Sequence, residues 1–356
     1  MKKRLLIIDG SCLLSTNYYG NLPPKLKMAH DLSDEEMQKL YRMILHNSEG
    51  KYTNAIYGFY KTLVKILNQR DDITHIAFVF DKSRENLIRK QIYPLYKAQR
   101  KPTPEPLKEQ FISIEESLTN MGFKVFFKDG YEADDFAGSI VKKFEDEIDI
   151  VLLTKDHDYL QLISDKTKLW MMYNDTDKVK ELREKYCVED DELYPDKTFE
   201  FNPFITKMEE GVWPEQIADL KSLTGDTSDN IPGVKNVASA AAPLLEKYKT
   251  VEGIYEAIEE CGDNKKKIKE LQEYWKKELE IRSPYNALTK EYDNEYVKSA
   301  KESAYLSKRL ATINTEVPLD ITLSDLKISV NREGFANELN YYNIRSIENL
   351  NEKYFN

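Results

Sequence analysis

Three cysteines in 356 residues, Cys12, Cys187 and Cys261, form neither a disulfide framework nor a zinc pattern. A reducing, cytoplasmic setting is therefore the expectation. Long apolar runs are missing too. Met1-Lys2-Lys3-Arg4 leads at once into Leu5-Leu6-Ile7-Ile8-Asp9, too short a stretch for a signal peptide, and no later run approaches membrane-spanning length. Internal repeats and low-complexity tracts are absent. So is a net positive charge: the formal value is −10, which argues against a non-specific nucleic-acid coat. An enzyme that holds metal ions with many carboxylates can still be acidic overall and basic locally.

What is present is a succession of short apolar runs separated by helical patterns. Leu5–Ile8, Ile76–Phe80, Lys124–Phe127 and Ile148–Leu153 have the branched, aromatic-rich composition of buried parallel strands. Ala55–Leu67, Leu107–Met121 and Ala133–Phe144 carry apolar residues at helical spacing. Strands alternating with helices predict an α/β fold, a mostly parallel central sheet flanked by helices. Residues 20–50 interrupt the alternation, with an added helix expected over Asp34–Leu45 behind Ser33 as N-cap. Residues 171–205 are charged and broken by Pro195 and Pro203, and read as an inserted surface segment. These patterns divide the chain into an α/β core over 1–205, a helical region over 206–320 and a C-terminal tail over 321–356.

Open α/β sheets bind ligands outside the carboxyl ends of their strands. Asp9 ends the first run and Asp81 the second, while Asp156 and Asp158 follow the fourth. The third leads through Gly130 to Glu132, Asp134 and Asp135, which open a helix. Any one acid has an ordinary explanation as a turn residue or helix cap. Seven at one edge repel one another unless cations neutralise them. Oxygen ligands without His or Cys suit Mg²⁺ or Mn²⁺, and His157 beside them reads as incidental. Asp226 and Asp229 form a second acidic pair, which suggests two or more ions clamping the attacking and leaving oxygens of a phosphodiester.

The segment Lys82 to Lys101 inverts the global charge, with seven basic residues against one acid. Lys82, Arg84, Arg89, Lys90, Lys97, Arg100 and Lys101 interleave there with Tyr93 and Tyr96, a mixture suited to single-stranded nucleic acid. A solvated basic helix with its tyrosines packed inward is the plainer alternative. Residues 262–302, rich in Lys and Glu, read as a solvated helical face.

These residues resemble one family, the 5′ nucleases, meaning flap endonucleases and the 5′-to-3′ exonuclease domain of bacterial DNA polymerase I. The blocks that carry the resemblance are Ile8-Asp9-Gly10-Ser11, Tyr57-Gly58-Phe59, Val79-Phe80-Asp81, Tyr96-Lys97-Ala98-Gln99-Arg100 and Gly130-Tyr131-Glu132-Ala133-Asp134-Asp135. Thr154-Lys155-Asp156-His157-Asp158 and the run Leu223 to Lys235 complete them. The resemblance implies that Asp9, Asp81, Glu132, Asp134, Asp135, Asp156, Asp158, Asp226 and Asp229 hold divalent metals. It implies that Arg89, Lys97 and Arg100 position the scissile phosphate within an arch over about 82–106, with Arg84, Lys90, Tyr93, Tyr96 and Lys101 as further nucleic-acid contacts. It also implies a helix-hairpin-helix over about 219–248, where Gly233 and Lys235 would grip duplex phosphates, with K⁺ as an additional cation.

The expected activity is metal-dependent 5′-to-3′ exonuclease and flap endonuclease chemistry in replication or repair. The substrate would be DNA with a 5′ flap, nick or free 5′ end, or an RNA–DNA hybrid, and the enzyme a stand-alone monomer without membrane contact. Two alternatives stand beside it: a structure-specific DNA-binding protein that has lost catalysis, and an RNase acting mainly on RNA primers. Two departures weaken the expected grip on substrate. The hairpin continues as Asn236-Val237-Ala238-Ser239-Ala240, lacking two glycines and a lysine of the family pattern, and Thr16 stands where many relatives carry arginine. Pro243 is expected in the first turn of the helix that comes after the hairpin.

Overall fold

The computed structural model describes residues 3–29, 32–83, 85–188, 195 and 197–356. At its centre is a six-stranded sheet built from β1 (Arg4–Asp9), β2 (Ile73–Val79), β3 (Val125–Phe126), β4 (Asp149–Thr154), β5 (Thr167–Met172) and β6 (Thr198–Phe201). Their order is β3-β2-β1-β4-β5-β6; only β6 runs antiparallel, against β5. All four predicted runs are strands. Alternate residues of each strand feed two apolar layers. Leu5, Ile7, Val79, Ile150 and Leu152 face one layer, while Leu6, Ile8, Phe78, Val151 and Leu153 face the other. Burial on both faces explains why these strands read as continuous apolar runs.

The predicted helices fall at Asn54–Gln69, Glu105–Asn120 and Ala133–Phe144. Ser33 does cap a helix, reciprocally with Glu36, but that helix ends at Tyr41 rather than Leu45. Residues 171–205 are not merely a surface insertion. They hold a helix, Thr176–Lys185, whose Val179 and Leu182 are buried, and the edge strand β6, whose Phe199 and Phe201 pack into the core. Their apolar residues are too thinly spread among charges to stand out as a pattern.

The C-terminal residues differ from a tail. Ile328 N donates to Thr74 O at 3.0 Å, and Val330 pairs with Phe355. Val330, Phe335, Tyr342, Ile344, Leu350 and Tyr354 are buried in the layer that holds the Asn54–Gln69 helix. The helical region, by contrast, packs on the Ala133–Phe144 side of the sheet. No helix among the described residues is long and apolar enough to cross a membrane.

The expected hairpin lies between helices Ile217–Thr224 and Ala238–Tyr248. Pro243 falls inside the second of these, beyond its first turn, so one interior helix hydrogen bond is forgone there. Two glycine backbones meet in the hairpin. A Cβ on Gly233 would lie 2.3 Å from Gly225 N, and Gly233 has φ +60°. Gly233→Ala should therefore destabilise the protein by about 2–4 kcal/mol, combining overpacking with left-handed backbone strain. Thermal unfolding checks this; an unchanged midpoint would contradict it.

Candidate active site

The strand order reverses between β1 and β4, and the crevice at that reversal is where open α/β sheets carry ligands. Asp9 closes β1 there. One of its oxygens accepts Cys12 N at 2.8 Å, capping the Gly10–Gly20 helix, and the other accepts Thr154 Oγ1 at 2.8 Å from the end of β4. Asp81, just past β2, takes its backbone N–H to Ser11 Oγ and accepts Ala133 N at 3.0 Å. Burial, and then the charge of Asp81, push the Asp9 carboxyl up to about 7, against the two donors that favour its ionised form.

Glu132 stands at the N-cap of the Ala133–Phe144 helix, and Asp134 and Asp135 form its acidic first turn. Glu132 and Asp135 are gripped by Arg89, itself buried on the short Ile88–Ile92 helix. Its guanidinium donates to Glu132 Oε2 at 2.6 Å and to both Asp135 oxygens at 3.0 and 2.8 Å. It also donates to the carbonyls of Leu310 and Thr312, at 3.0 and 3.1 Å. Asp135 further accepts Glu132 N and Asn314 N. Burial opposes ionisation of Glu132, but Lys97 and Arg89 overcome it and hold the carboxyl down at about 2.

Asp134 is different. Its Oδ1 is buried with no hydrogen-bond partner, and Arg89 stands 3.9 Å from its other oxygen. Burial raises its carboxyl well above the ordinary value.

On the far side, Lys221 bridges Asp158 and Asp226, the latter at 2.7 Å. Lys221 with Ser228 holds Asp226 down at about 2 despite partial burial. Lys97 pairs with Glu132 and lies 3.3 Å from Asp229, while Arg100 pairs with Asp229. Asp156 sits at the mouth, one oxygen taking Asp158 N at 2.9 Å, and burial raises its carboxyl.

The nine acids thus lie in one electrostatic network, but interleaved with the chain's own cations. Among the described residues, no three His, Cys, Asp or Glu side chains are gathered as a ready metal cage. Four cations face nine carboxylates, so the cluster keeps an excess of negative charge. That excess, the orphaned Asp134 oxygen and the all-oxygen donor set fit divalent ions of the Mg²⁺ class.

The basic segment lies against this cluster and is folded inward. Tyr93 and Tyr96 are buried with Leu87, Ile231, Leu310 and Ala311, and the Tyr96 hydroxyl lies 3.1 Å from Glu132 and 3.0 Å from Asp229. Neither ring presents an open stacking face, so the plainer reading of these tyrosines holds in this geometry. Lys97 occupies the left-handed region at φ 54°, its N–H given to Asp229 O at 2.9 Å. Lys90 is half-buried and Lys101 exposed. Arg84 lies outside the described residues. In the hairpin Lys235 is exposed, but Gly233 N donates to Ser307 Oγ at 2.9 Å, so the phosphate contact expected of that amide is already taken.

Two residues escaped the sequence reading. Thr154 sits two before Asp156 and orients Asp9 across the sheet. Lys221 lies five before Asp226, on the last turns of a helix whose end Gly225 marks.

Residues 4–190 match the model for the 5′-3′ exonuclease N-terminal resolvase-like domain, and residues 212–333 that for the 5′-3′ exonuclease C-terminal SAM fold. A protein named 5′-3′ exonuclease from Bacillus subtilis is 26% identical over 98% of this chain and 96% of its own length. A DNA polymerase I from Caldicellulosiruptor bescii is 37% identical over 91% of this chain. The chain spans only 30% of the length of that polymerase. Among solved structures, bacteriophage T5 D15 protein co-crystallised with metal ions superposes with TM-score 0.53 at 20% identity, covering 88% of this chain and 90% of its own. At that identity the likeness is one of fold.

Proposed function

The chain belongs to the 5′-3′ exonuclease family, and on that premise we propose that it hydrolyses phosphodiester bonds near 5′ ends of DNA, as exonuclease and flap endonuclease, with bound divalent ions. Membership supports the nuclease reading; the activity, the substrate geometry and the ion are our proposal. The observation that carries it is the under-neutralised acidic cluster at the sheet reversal, with a buried carboxylate oxygen of Asp134 that nothing in the protein satisfies.

Asp9, Asp81, Asp134, Asp156 and Asp158, with Asp226 and Asp229, would hold the ions, while Glu132 and Asp135 anchor Arg89. Bound ions of this class polarise phosphoryl oxygens and make a hydrolytic water available at neutral pH. The chain's own cations have a second task. Lys97 and Arg100 balance Glu132 and Asp229 in this state, and both stand where an incoming phosphate would compete for them. A phosphate drawn to that pair would be placed beside the acids, which is the positioning work catalysis needs. All nine acidic positions are occupied, which disfavours a protein that binds DNA without cutting it. K⁺ at the hairpin and gripping by Lys235 belong to the same proposal.

The test is a panel of 5′-labelled flap, nicked, single-stranded and RNA–DNA substrates with Mg²⁺ and Mn²⁺. Short labelled products from the flap, abolished by EDTA, are expected. Inactivity with every divalent ion tried would sink the reading, and faster cleavage of the hybrid would favour RNA primers as the main substrate.

A further inference from the structure

Tyr159 comes directly after Asp158 in the 3₁₀ turn His157–Leu162 and is 1% exposed. Its hydroxyl is buried and has no hydrogen-bond partner. A buried donor left unsatisfied destabilises the fold, and phenylalanine would fill the same space without that cost. The hydroxyl lies in the field of Asp9, Asp134, Asp156 and Asp81, acids delivered by four separate segments. One of those four, Asp134, also has an oxygen with no partner.

The two orphans are complementary in kind. One is a donor and the other an acceptor, both are buried, and they do not satisfy each other. The other acids already have fixed tasks for some of their oxygens: Asp9 holds Cys12 N and Thr154 Oγ1, Asp81 holds Ala133 N, and Asp156 holds Asp158 N. A buried donor that feels the charge of four acids and bonds none of them is free to donate to a group those acids hold.

We propose that Tyr159 is a positioning residue of the divalent-ion site, its O–H donating to an oxygen in the shell of an ion held by Asp9, Asp81, Asp134 and Asp156. This rests on the metal reading above. Outer-shell donors of this kind fix the orientation of ligands, and their loss weakens metal affinity about 10–100-fold. The role differs from packing because its effect appears only when the ion is bound.

The experiment uses the full chain and Tyr159→Phe, which removes one oxygen and keeps the ring. Mn²⁺ affinity is measured by calorimetry without DNA, and thermal midpoints are recorded with EDTA and with saturating Mn²⁺. Three results are expected: an EDTA midpoint equal to or above that of the wild type, a Mn²⁺-induced rise smaller than the wild type's, and a Kd weakened at least about tenfold. A lower EDTA midpoint with unchanged Kd would make Tyr159 a packing residue and overturn the proposal. So would Mn²⁺ affinity within about twofold of the wild type's. A wild type that binds no Mn²⁺ would overturn the metal reading and this inference together, whereas normal wild-type binding with an unaffected variant overturns this inference alone.

Discussion

Asp134→Asn is expected to lose nuclease activity by on the order of 10²–10³-fold, the range seen when one electrostatic contact to a transition state is removed, while the metal-free protein becomes more stable. The two effects share one cause. Asp134 Oδ1 is buried without a partner, and Arg89, already committed to Glu132 and Asp135, reaches no closer than 3.9 Å to the other oxygen. Relieving such a carboxylate should be worth about 1–3 kcal/mol in EDTA. The sign of the pH dependence has the same origin. The folded-state carboxyl is raised above its ordinary value, so the folded protein binds this proton more tightly than the unfolded chain does. The contribution of Asp134 to wild-type stability is then greatest below the ordinary carboxylate range and is lost as pH rises through the elevated value, whereas Glu132 and Asp226, held down, act in the opposite sense at low pH. Asparagine does not titrate, and the gap between variant and wild type should widen in that direction. Urea unfolding in EDTA at several pH values checks this; a variant less stable than the wild type at neutral pH would contradict it.

Asp134 and Asp135 look equivalent in the sequence, adjacent acids in the first turn of one helix. Consecutive helical residues project about 100° apart, so one carboxylate is bonded by Arg89 and Asn314 while its neighbour keeps one buried oxygen without a partner and Arg89 only 3.9 Å from the other. That division depends on partners 46 and 179 residues away, and no local pattern carries it. The strand-end acids were legible because parallel strands buried on both faces announce themselves as apolar runs, and a residue just past the end of such a run must sit at the sheet edge. The basic segment after Asp81 was legible in charge but not in posture. Its tyrosines are buried because Ile231, Leu310 and Ala311 arrive from the hairpin and a distant helix to cover them. Tyr159 was invisible for a simpler reason: a tyrosine after Asp-x-Asp looks like any core aromatic until its hydroxyl is found without a partner.

Removing Arg89 should be the most damaging single change to stability. Arg89→Met keeps much of the aliphatic stem but strips five interactions at once, with Glu132, both oxygens of Asp135, and the carbonyls of Leu310 and Thr312. Breaking a buried ion pair from one side leaves charge uncompensated in a dry site, at a cost of about 3–5 kcal/mol. Glu132 retains Lys97 and Tyr96, so the heavier loss falls on Asp135. Adding Asp135→Asn to Arg89→Met should therefore restore part of the stability. Such non-additivity between contacting groups is what a double-mutant cycle measures, typically about 0.5–3 kcal/mol. Arg89→Lys should recover little, because a lysine ammonium has three donors on one point charge and cannot span two carboxylates and two carbonyls. Denaturant unfolding of Arg89→Met, Asp135→Asn, their combination and Arg89→Lys in EDTA decides the matter. A loss below about 1 kcal/mol for Arg89→Met, or strict additivity in the cycle, would mean that the guanidinium is a surface ornament rather than the clamp joining the Ile88–Ile92 helix, the acidic helix start and the end of the Ala300–Ala311 helix. That clamp ties the basic segment to the acids, so its loss should also weaken cleavage in any Arg89 variant that remains folded.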